Sequence, residues 1–423
     1  MDFESVCVLG LGYIGLPTAS TFATHGLQVI GVDVNQHVVS MLRDGEIHIQ
    51  EPGLRALVQS AFESGNLRVT AEPEPADAFI IAVPTPILPD KRADLRHVTS
   101  AAESIVPHLR RGNLVVLEST SPPRTTVDRV APILARSGLQ AGADFHLCYS
   151  PERVLPGQIL RELVENARVI GGVDRASGEA GRDLYAKFAR GEIVLTDATT
   201  AEMVKLMENT ARDVNIALAN EFSRLASSLG VDVWEAIALA NRHPRVQILR
   251  PGPGVGGHCI SVDPWFLVEA APQMASLIRQ ARQVNDDQPA YAVGLVERAL
   301  GGLAGRRIAA LGLAYKADVD DLRESPAIEV VRALVDAGAQ VRVLEPFVPG
   351  FEIAGAVTAS SLESVLADAE AVILLVDHAQ FRQLQPAQVA ERMPGRTAVD
   401  TRGVWDRLAW SEAGFRLHVL GMG

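Results

Sequence analysis

The first 35 residues constrain this chain most. SVCVLG at 5–10 is a short apolar run, LGYIGLPTASTFATHG follows with helical character, and QVIGVDVN ends the stretch as a second strand. Gly10, Gly12 and Gly15 fill a G-x-G-x-x-G pattern between them, and Asp33 closes the second strand about 20 residues on. A turn of this kind lets a helix N-terminus approach a pyrophosphate, and the carboxylate can hold two ribose hydroxyls. With Tyr13 and Ile14 between the glycines, the turn is the expected cradle of a dinucleotide. An acidic Asp33 would repel a 2′-phosphate, which favours NAD over NADP.

The alternation of strand and helix continues. AFIIAVPTP at 78–86, NLVVLEST at 113–120 and DFHLCYS at 144–150 read as strands, with helical stretches from Asp94 and Arg124 between them. That pattern predicts a parallel sheet with crossover helices, whose ligands bind beyond the carboxyl ends of the strands. Thr85 and Thr120 stand at such ends and point toward the nucleotide, although plain turn chemistry accounts for them equally. A second doubly wound pattern begins at Gly305: RRIAALGLAYK, a helix over 325–337, then AQVRVLEP, AEAVILLVDH, TAVDTRG and FRLHVLG. Gly312 ends its first strand, but no second G-x-G-x-x-G follows, so this half is expected to hold another ligand. Between the two halves, residues 199–229 run without Pro or Gly and read as one long helix, which Thr200 can cap. A further helical stretch is expected over about 274–300. The expected architecture is α/β: two Rossmann-like doubly wound parallel-sheet domains, at 1–198 and 303–423, joined by a long central helix and a helical middle domain at 199–302.

Composition narrows the function. The chain has 423 residues, 48% of them hydrophobic and 21% charged, which is ordinary for a globular protein with ample core material. No apolar run approaches the ~20 residues a membrane span needs, and the acidic N-terminus, MDFESVCVLG, has no signal-peptide character. A formal charge of −12 argues against nucleic acid, whose phosphates call for basic faces. Three cysteines are no disulfide framework, and a cytoplasmic setting fits best. Cys7 and Cys148 sit in apolar strand-like runs and are expected in the core.

Cys259 differs. It lies in GPGVGGHCISVDPWFL at 252–267, behind a run of glycines that would let backbone and ligand approach closely. A thiolate there can add to an aldehyde, and loss of hydride from the thiohemiacetal leaves a thioester for water to hydrolyse. Lys205, His258 or positive backbone dipoles would favour the thiolate. Lys205, Asp263 and Glu152 are candidate bases, and Asn209 a candidate donor to an oxyanion. Lys205, Asn209 and Arg212 fall at i, i+4 and i+7 of the long helix, on one face. No metal-ligand set is read.

These segments, taken with VPTP, EST, YSPERVLPG, LGLAYKADVDDLRESPA and DTRG in order along the chain, closely resemble the UDP-glucose/GDP-mannose dehydrogenase family of nucleotide-sugar 6-dehydrogenases. The motifs span Gly10 to Gly403. The resemblance implies an NAD-dependent four-electron oxidation of a UDP-sugar by a homodimer with shared active sites. It implies Cys259 as nucleophile, Lys205 as proton donor and acceptor, Asn209 beside the oxyanion, and Asp263 in hydrolysis or orientation. Glu152 would act through water, with Arg153 and Val154 at the sugar and Arg212 in the same pocket. His243 and Arg245 would be lent by the neighbouring subunit. Gly254 lies in the substrate loop, Tyr315, Lys316 and Arg402 would hold the UDP part, and Arg323 would reach toward NAD. The GGHC-ISVDPWF form resembles members acting on UDP-N-acetyl-D-mannosamine; those acting on UDP-N-acetylglucosamine or its galacto epimer share it. A two-electron hydroxyacid dehydrogenase would need neither the Cys nor the second nucleotide-type domain. A silent NAD- or nucleotide-sugar-binding regulator would not need Cys259, Lys205 and Asn209 together.

Overall fold

A computed structural model describes residues 1–423 apart from Gln50, Pro156 and His258. The chain divides into two compact units, Met1–Glu208 with Trp265–Met274 and Asn209–Pro264 with Ala275–Gly423.

The first unit is built on eight strands: β1 (Ser5–Leu9), β2 (Gln28–Val32), β3 (Leu67–Thr70), β4 (Ala78–Ile81), β5 (Leu114–Leu117), β6 (His146–Tyr149), β7 (Arg168–Gly172) and β8 (Ile193–Asp197). Their order in the sheet is β3-β2-β1-β4-β5-β6-β7-β8. AFII of β4 and LVVL of β5 are buried throughout, as expected of strands covered on both faces by crossover helices. From β3 to β6 every pairing is parallel. β7 then departs from the expected pattern by running antiparallel to β6, with Cys148 opposite Gly172 and Tyr149 opposite Gly171. Antiparallel neighbours need no crossover. Residues 150–167 stay at the carboxyl edge of β6 and enter β7 from there, which brings Arg168, the first residue of β7, to the edge where ligands bind. Cys7 and Cys148 are core residues with fully buried side chains.

The second unit carries six parallel strands in the order β11-β10-β9-β12-β13-β14. They are β9 (Arg307–Leu311), β10 (Gln340–Leu344), β11 (Val357–Thr358), β12 (Ala371–Leu374), β13 (Thr397–Asp400) and β14 (Arg416–Val419). Its first turn copies that of the first unit. The Gly10 amide donates to the Val32 carbonyl at 2.8 Å, and the Gly312 amide to the Leu344 carbonyl at 2.9 Å. The Leu11 amide donates to Asp33 at 3.1 Å, and the Leu313 amide to Glu345 at 2.7 Å. The copies diverge in their acids. Asp33 is half-buried, whereas Glu345 is buried and also accepts from the amides of Ala314 and Phe347 and from His378.

The helix Ala198–Leu229 starts in the first unit and ends in the second. Its cap is Asp197 rather than Thr200: the Asp197 carboxylate accepts from the Thr200 amide at 2.9 Å and from the Thr200 hydroxyl at 2.5 Å. The helical stretch expected over about 274–300 is two helices, Ser276–Asp286 and Gln288–Leu300, the second opening on Pro289. Among the described residues no helix is long and apolar enough to cross a membrane.

Candidate active site

In the first unit the glycine turn meets the demands of a dinucleotide. Gly10 has φ +93°, and a Cβ on it would come within 2.5 Å of the Ala82 carbonyl. A Cβ on Gly15 would overlap the Gly10 carbonyl, so that glycine sets the close approach of helix Gly15–Thr24 to β1. Gly12 is different: a Cβ there would meet no protein atom within 4 Å. Packing does not require that glycine, but a pyrophosphate lying against the backbone does. Tyr13 and Ile14 are half-buried beside it, and Ile14 is the residue that caps the helix. Asp33 is held at the end of β2 by the amides of Leu11 and Asn35. Thr85, after β4, donates to the carbonyl of Thr120, after β5, at 2.7 Å, so the two polar strand ends are tied together. These residues fit NAD.

Beyond β6 the carboxyl edge carries charge. Glu152 accepts from Arg168 at 2.8 Å and from the Arg153 amide at 2.7 Å. Arg153 reaches Glu208 of the long helix at 3.0 Å and the Ala167 carbonyl at 3.1 Å, while Val154 is half-buried against the core. Lys205 lies on the long helix, one turn before Asn209, with only 8% of its surface exposed. Glu202, three residues before Lys205, is buried. It accepts from the Arg124 amide at 2.5 Å and from the Thr126 amide and hydroxyl at 2.7 and 2.6 Å. Burial pushes its carboxyl up to about 7 despite those donors.

In the second unit, Asn209 donates to Asp263 at 2.5 Å. Asp263 is buried and, with Pro264, opens a helix, Asp263–Ala270, where the sequence reads as loop. Cys259 is exposed, and its carbonyl accepts from the amides of Val262 and Asp263 at 3.1 and 2.8 Å. The thiol therefore stands on the turn that leads into that helix. His258 lies outside the described residues.

The glycines ahead of Cys259 have a cause the sequence reading did not foresee. They admit other parts of the protein at close range. A Cβ on Gly252 would come within 2.6 Å of the Arg402 guanidinium, one on Gly254 within 2.6 Å of Pro326, and one on Gly257 within 2.9 Å of the Tyr315 ring. The Gly257 amide also donates to the Arg323 carbonyl at 3.2 Å. The loop thus joins Cys259 to Tyr315 and Arg402. Arg402 pairs with Asp377 at 3.0 Å, and its turn is shaped by Asp400, which accepts from the amides of residues 402–405. Lys316 is exposed beside Tyr315.

Other expected residues are not drawn into this group. The Arg323 side chain pairs with Asp321 at 2.6 Å, and the helix that follows is capped by Ser325. Arg212, His243 and Arg245 are exposed, the last two in the turn after helix Val233–Ala240. A cleft of about 1120 Å³ beside β10, lined by Glu345, Glu352, Ser361 and Phe381 among others, contains none of the residues singled out in the sequence. The reading also passed over Glu118 and Arg168. The first sits in the quoted EST, and the second is an arginine opening an otherwise apolar strand.

Residues 4–189 match the NAD binding domain of the UDP-glucose/GDP-mannose dehydrogenase family, 199–287 its central domain and 309–407 its UDP binding domain. The chain is 51% identical over 414 residues to an NDP-N-acetyl-D-galactosaminuronic acid dehydrogenase of Ralstonia nicotianae, covering 96% of this chain and 97% of the other. It is 47% identical to the UDP-N-acetyl-D-mannosamine dehydrogenase of Escherichia coli, with 96% and 100% covered. A solved UDP-D-ManNAc dehydrogenase of Pyrococcus horikoshii superposes with a TM-score of 0.92 at 42% identity, covering 99% of each chain. The chain belongs to the UDP-glucose/GDP-mannose dehydrogenase family and carries its NAD binding, central and UDP binding domains in order.

Proposed function

We propose that this protein oxidises C6 of UDP-N-acetyl-D-mannosamine from alcohol to carboxylate. NAD, when bound, accepts the hydride of each oxidation. Lys205 takes the proton of the C6 hydroxyl as the aldehyde forms. The Cys259 thiolate adds to that aldehyde, Asn209 donates to the oxygen, and oxidation of the adduct leaves a thioester. Water hydrolyses the thioester, with Asp263 or Glu152 as base, and Cys259 returns as the thiol. Arg153, Val154 and Arg212 meet the sugar, and Gly254, Tyr315, Lys316 and Arg402 the UDP part, with Arg323 reaching toward NAD.

The observation that carries this reading is the Asn209–Asp263 bond beside Cys259, in a loop packed on Tyr315 and Arg402. The test is NADH formed per sugar. Two equivalents from UDP-N-acetyl-D-mannosamine, falling to at most one in Cys259→Ala, are expected; full uronate formation by that variant would refute the thioester route. A second reading keeps the chemistry and changes the sugar to the galacto epimer. The 51% identity to the galactosaminuronic acid dehydrogenase favours it, and two equivalents from UDP-N-acetylgalactosamine alone would establish it.

A homodimer with shared sites is part of the same reading. Met207, Leu218, Leu225 and Leu229 are exposed at spacings of 11, 7 and 4 along the long helix. Those spacings form one apolar stripe, and His243 and Arg245 are exposed as residues to lend to a neighbour. A fully active monomer in sedimentation would end it. The free, buried thiols of Cys7 and Cys148 suit a reducing cytoplasm.

A further inference from the structure

Behind Glu152 the first unit buries a compact group of charges. Glu118 follows β5, Arg168 opens β7, and Tyr185 ends the helix Arg175–Tyr185. The side chains of Glu118, Arg168 and Glu152 are 0%, 4% and 7% exposed, and Tyr185 is wholly buried. The Arg168 guanidinium stacks over the Tyr185 ring at 4.3 Å, and the fully buried Cys148 thiol lies alongside.

Two carboxylates and one guanidinium leave a net negative charge in a buried site, an arrangement disfavoured unless a proton cancels it. Hydrogen bonding decides where that proton rests. Glu152 receives two donors, Arg168 at 2.8 Å and the Arg153 amide at 2.7 Å. Glu118 receives only the Tyr185 hydroxyl, at 2.9 Å on Oε1. Arg168 stands 3.7 Å away, and Oε2 is buried without a partner. Burial, then the neighbouring Glu152, pushes the Glu118 carboxyl up to about 7, against the pull of Arg168 and Tyr185. Below about 7, Glu118 keeps the proton.

We propose that Glu118 is a positioning residue for Glu152: by holding a proton it leaves Arg168 committed to Glu152, whose carboxyl is thereby held and aimed. This rests on the reading of Glu152 as a base in the reaction. When Glu118 ionises, a second anion competes for Arg168 and loosens that grip. Glu118→Gln cannot ionise, so its Arg168–Glu152 bond is indifferent to pH.

The test compares kcat across pH for wild type, Glu118→Gln, Tyr185→Phe and Glu152→Gln, with the UDP-sugar that wild type turns over best. The ratio of wild-type to Glu118→Gln kcat is expected to fall severalfold as pH rises through neutrality, with KM little changed. Tyr185→Phe removes a donor that favours the Glu118 anion, so its fall comes at higher pH. Independently of turnover, infrared difference spectra of the wild type should show a protonated carboxyl band below neutrality that is absent in Glu118→Gln. A ratio independent of pH, or no such band, with Glu152→Gln inactive, overturns this proposal alone. Glu152→Gln with wild-type kcat overturns the underlying reading of Glu152 and the proposal with it, whatever the band shows.

Discussion

Asn209 and Asp263 share a hydrogen bond of 2.5 Å, which ties the long helix to the helix that begins four residues after Cys259. Asp263 is buried, so its charge depends on such donors. Asn209→Asp sets two carboxyls in one place, where both cannot ionise together. That variant is expected to lose turnover at neutral pH, on the order of a hundredfold, and to recover part of it as pH falls and one carboxyl takes a proton. The kcat–pH profile measures this; loss of the same size at every pH would contradict it.

Asp33 should set the choice of dinucleotide. Asp33→Ser removes the charge that repels a 2′-phosphate, and kcat/KM for NADP relative to NAD is expected to rise tenfold or more, roughly 1.4 kcal/mol. The amides of Leu11 and Asn35 lose part of their acceptor, so a modest fall in Tm accompanies the change. An unaltered NADP to NAD ratio would remove Asp33 from cofactor recognition.

Gly257→Ala combines two costs. Its φ of +90° disfavours any side chain, and the new methyl presses on the Tyr315 ring. The expected loss is about 1–3 kcal/mol in denaturant unfolding, with a raised KM for the UDP-sugar because Tyr315 must shift. A raised KM with unchanged stability would place the effect in binding alone.

Stability should also report on Glu118. Its carboxyl lies near 7 in the folded protein against an ordinary value of 4.5. Between these values the folded chain keeps a proton that the unfolded chain releases, so this contribution is fully present below about 4.5 and is lost as pH rises through about 7. The size is on the order of 3 kcal/mol. Unfolding of wild type against Glu118→Gln from pH 4.5 to 8 measures it; curves that stay parallel would contradict it.

Glu202→Ala strips an acceptor from three donors, the Arg124 amide and the Thr126 amide and hydroxyl. Buried donors left unmade cost about 1–3 kcal/mol each, so a fall in Tm is expected even though Glu202 belongs to no motif. An unchanged Tm would mean that the 124–126 turn finds other partners.

Much of this was legible in the sequence. Gly10 and Gly15 form the turn their spacing suggests, with Asp33 just past β2, because local backbone geometry dictates it. Strands such as AFII and LVVL declare themselves because both faces are buried. The antiparallel β7 was not legible: RVIGG is equally apolar in either direction, and only the path of residues 150–167 decides. The packing role of the glycines before Cys259 was not legible for a related reason. Their neighbours, Tyr315 and Arg402, lie 58 or more positions away in sequence, and no local rule relates them. Glu118 and Arg168 escaped notice because the meaning of a buried charge lies in its partners.

The inward Glu345 separates the duties of two similar turns. In the first unit the acid at the end of the second strand stays half-open, while in the second four donors, three of them amides and the fourth His378, draw its counterpart into the core. A ribose laid on the second turn would find no carboxylate to grip its hydroxyls. The ribose-holding acid of a dinucleotide site is thus offered by the first turn and not by the second. NADH, as it accumulates, should compete with NAD alone and leave the nucleotide sugar's own affinity untouched.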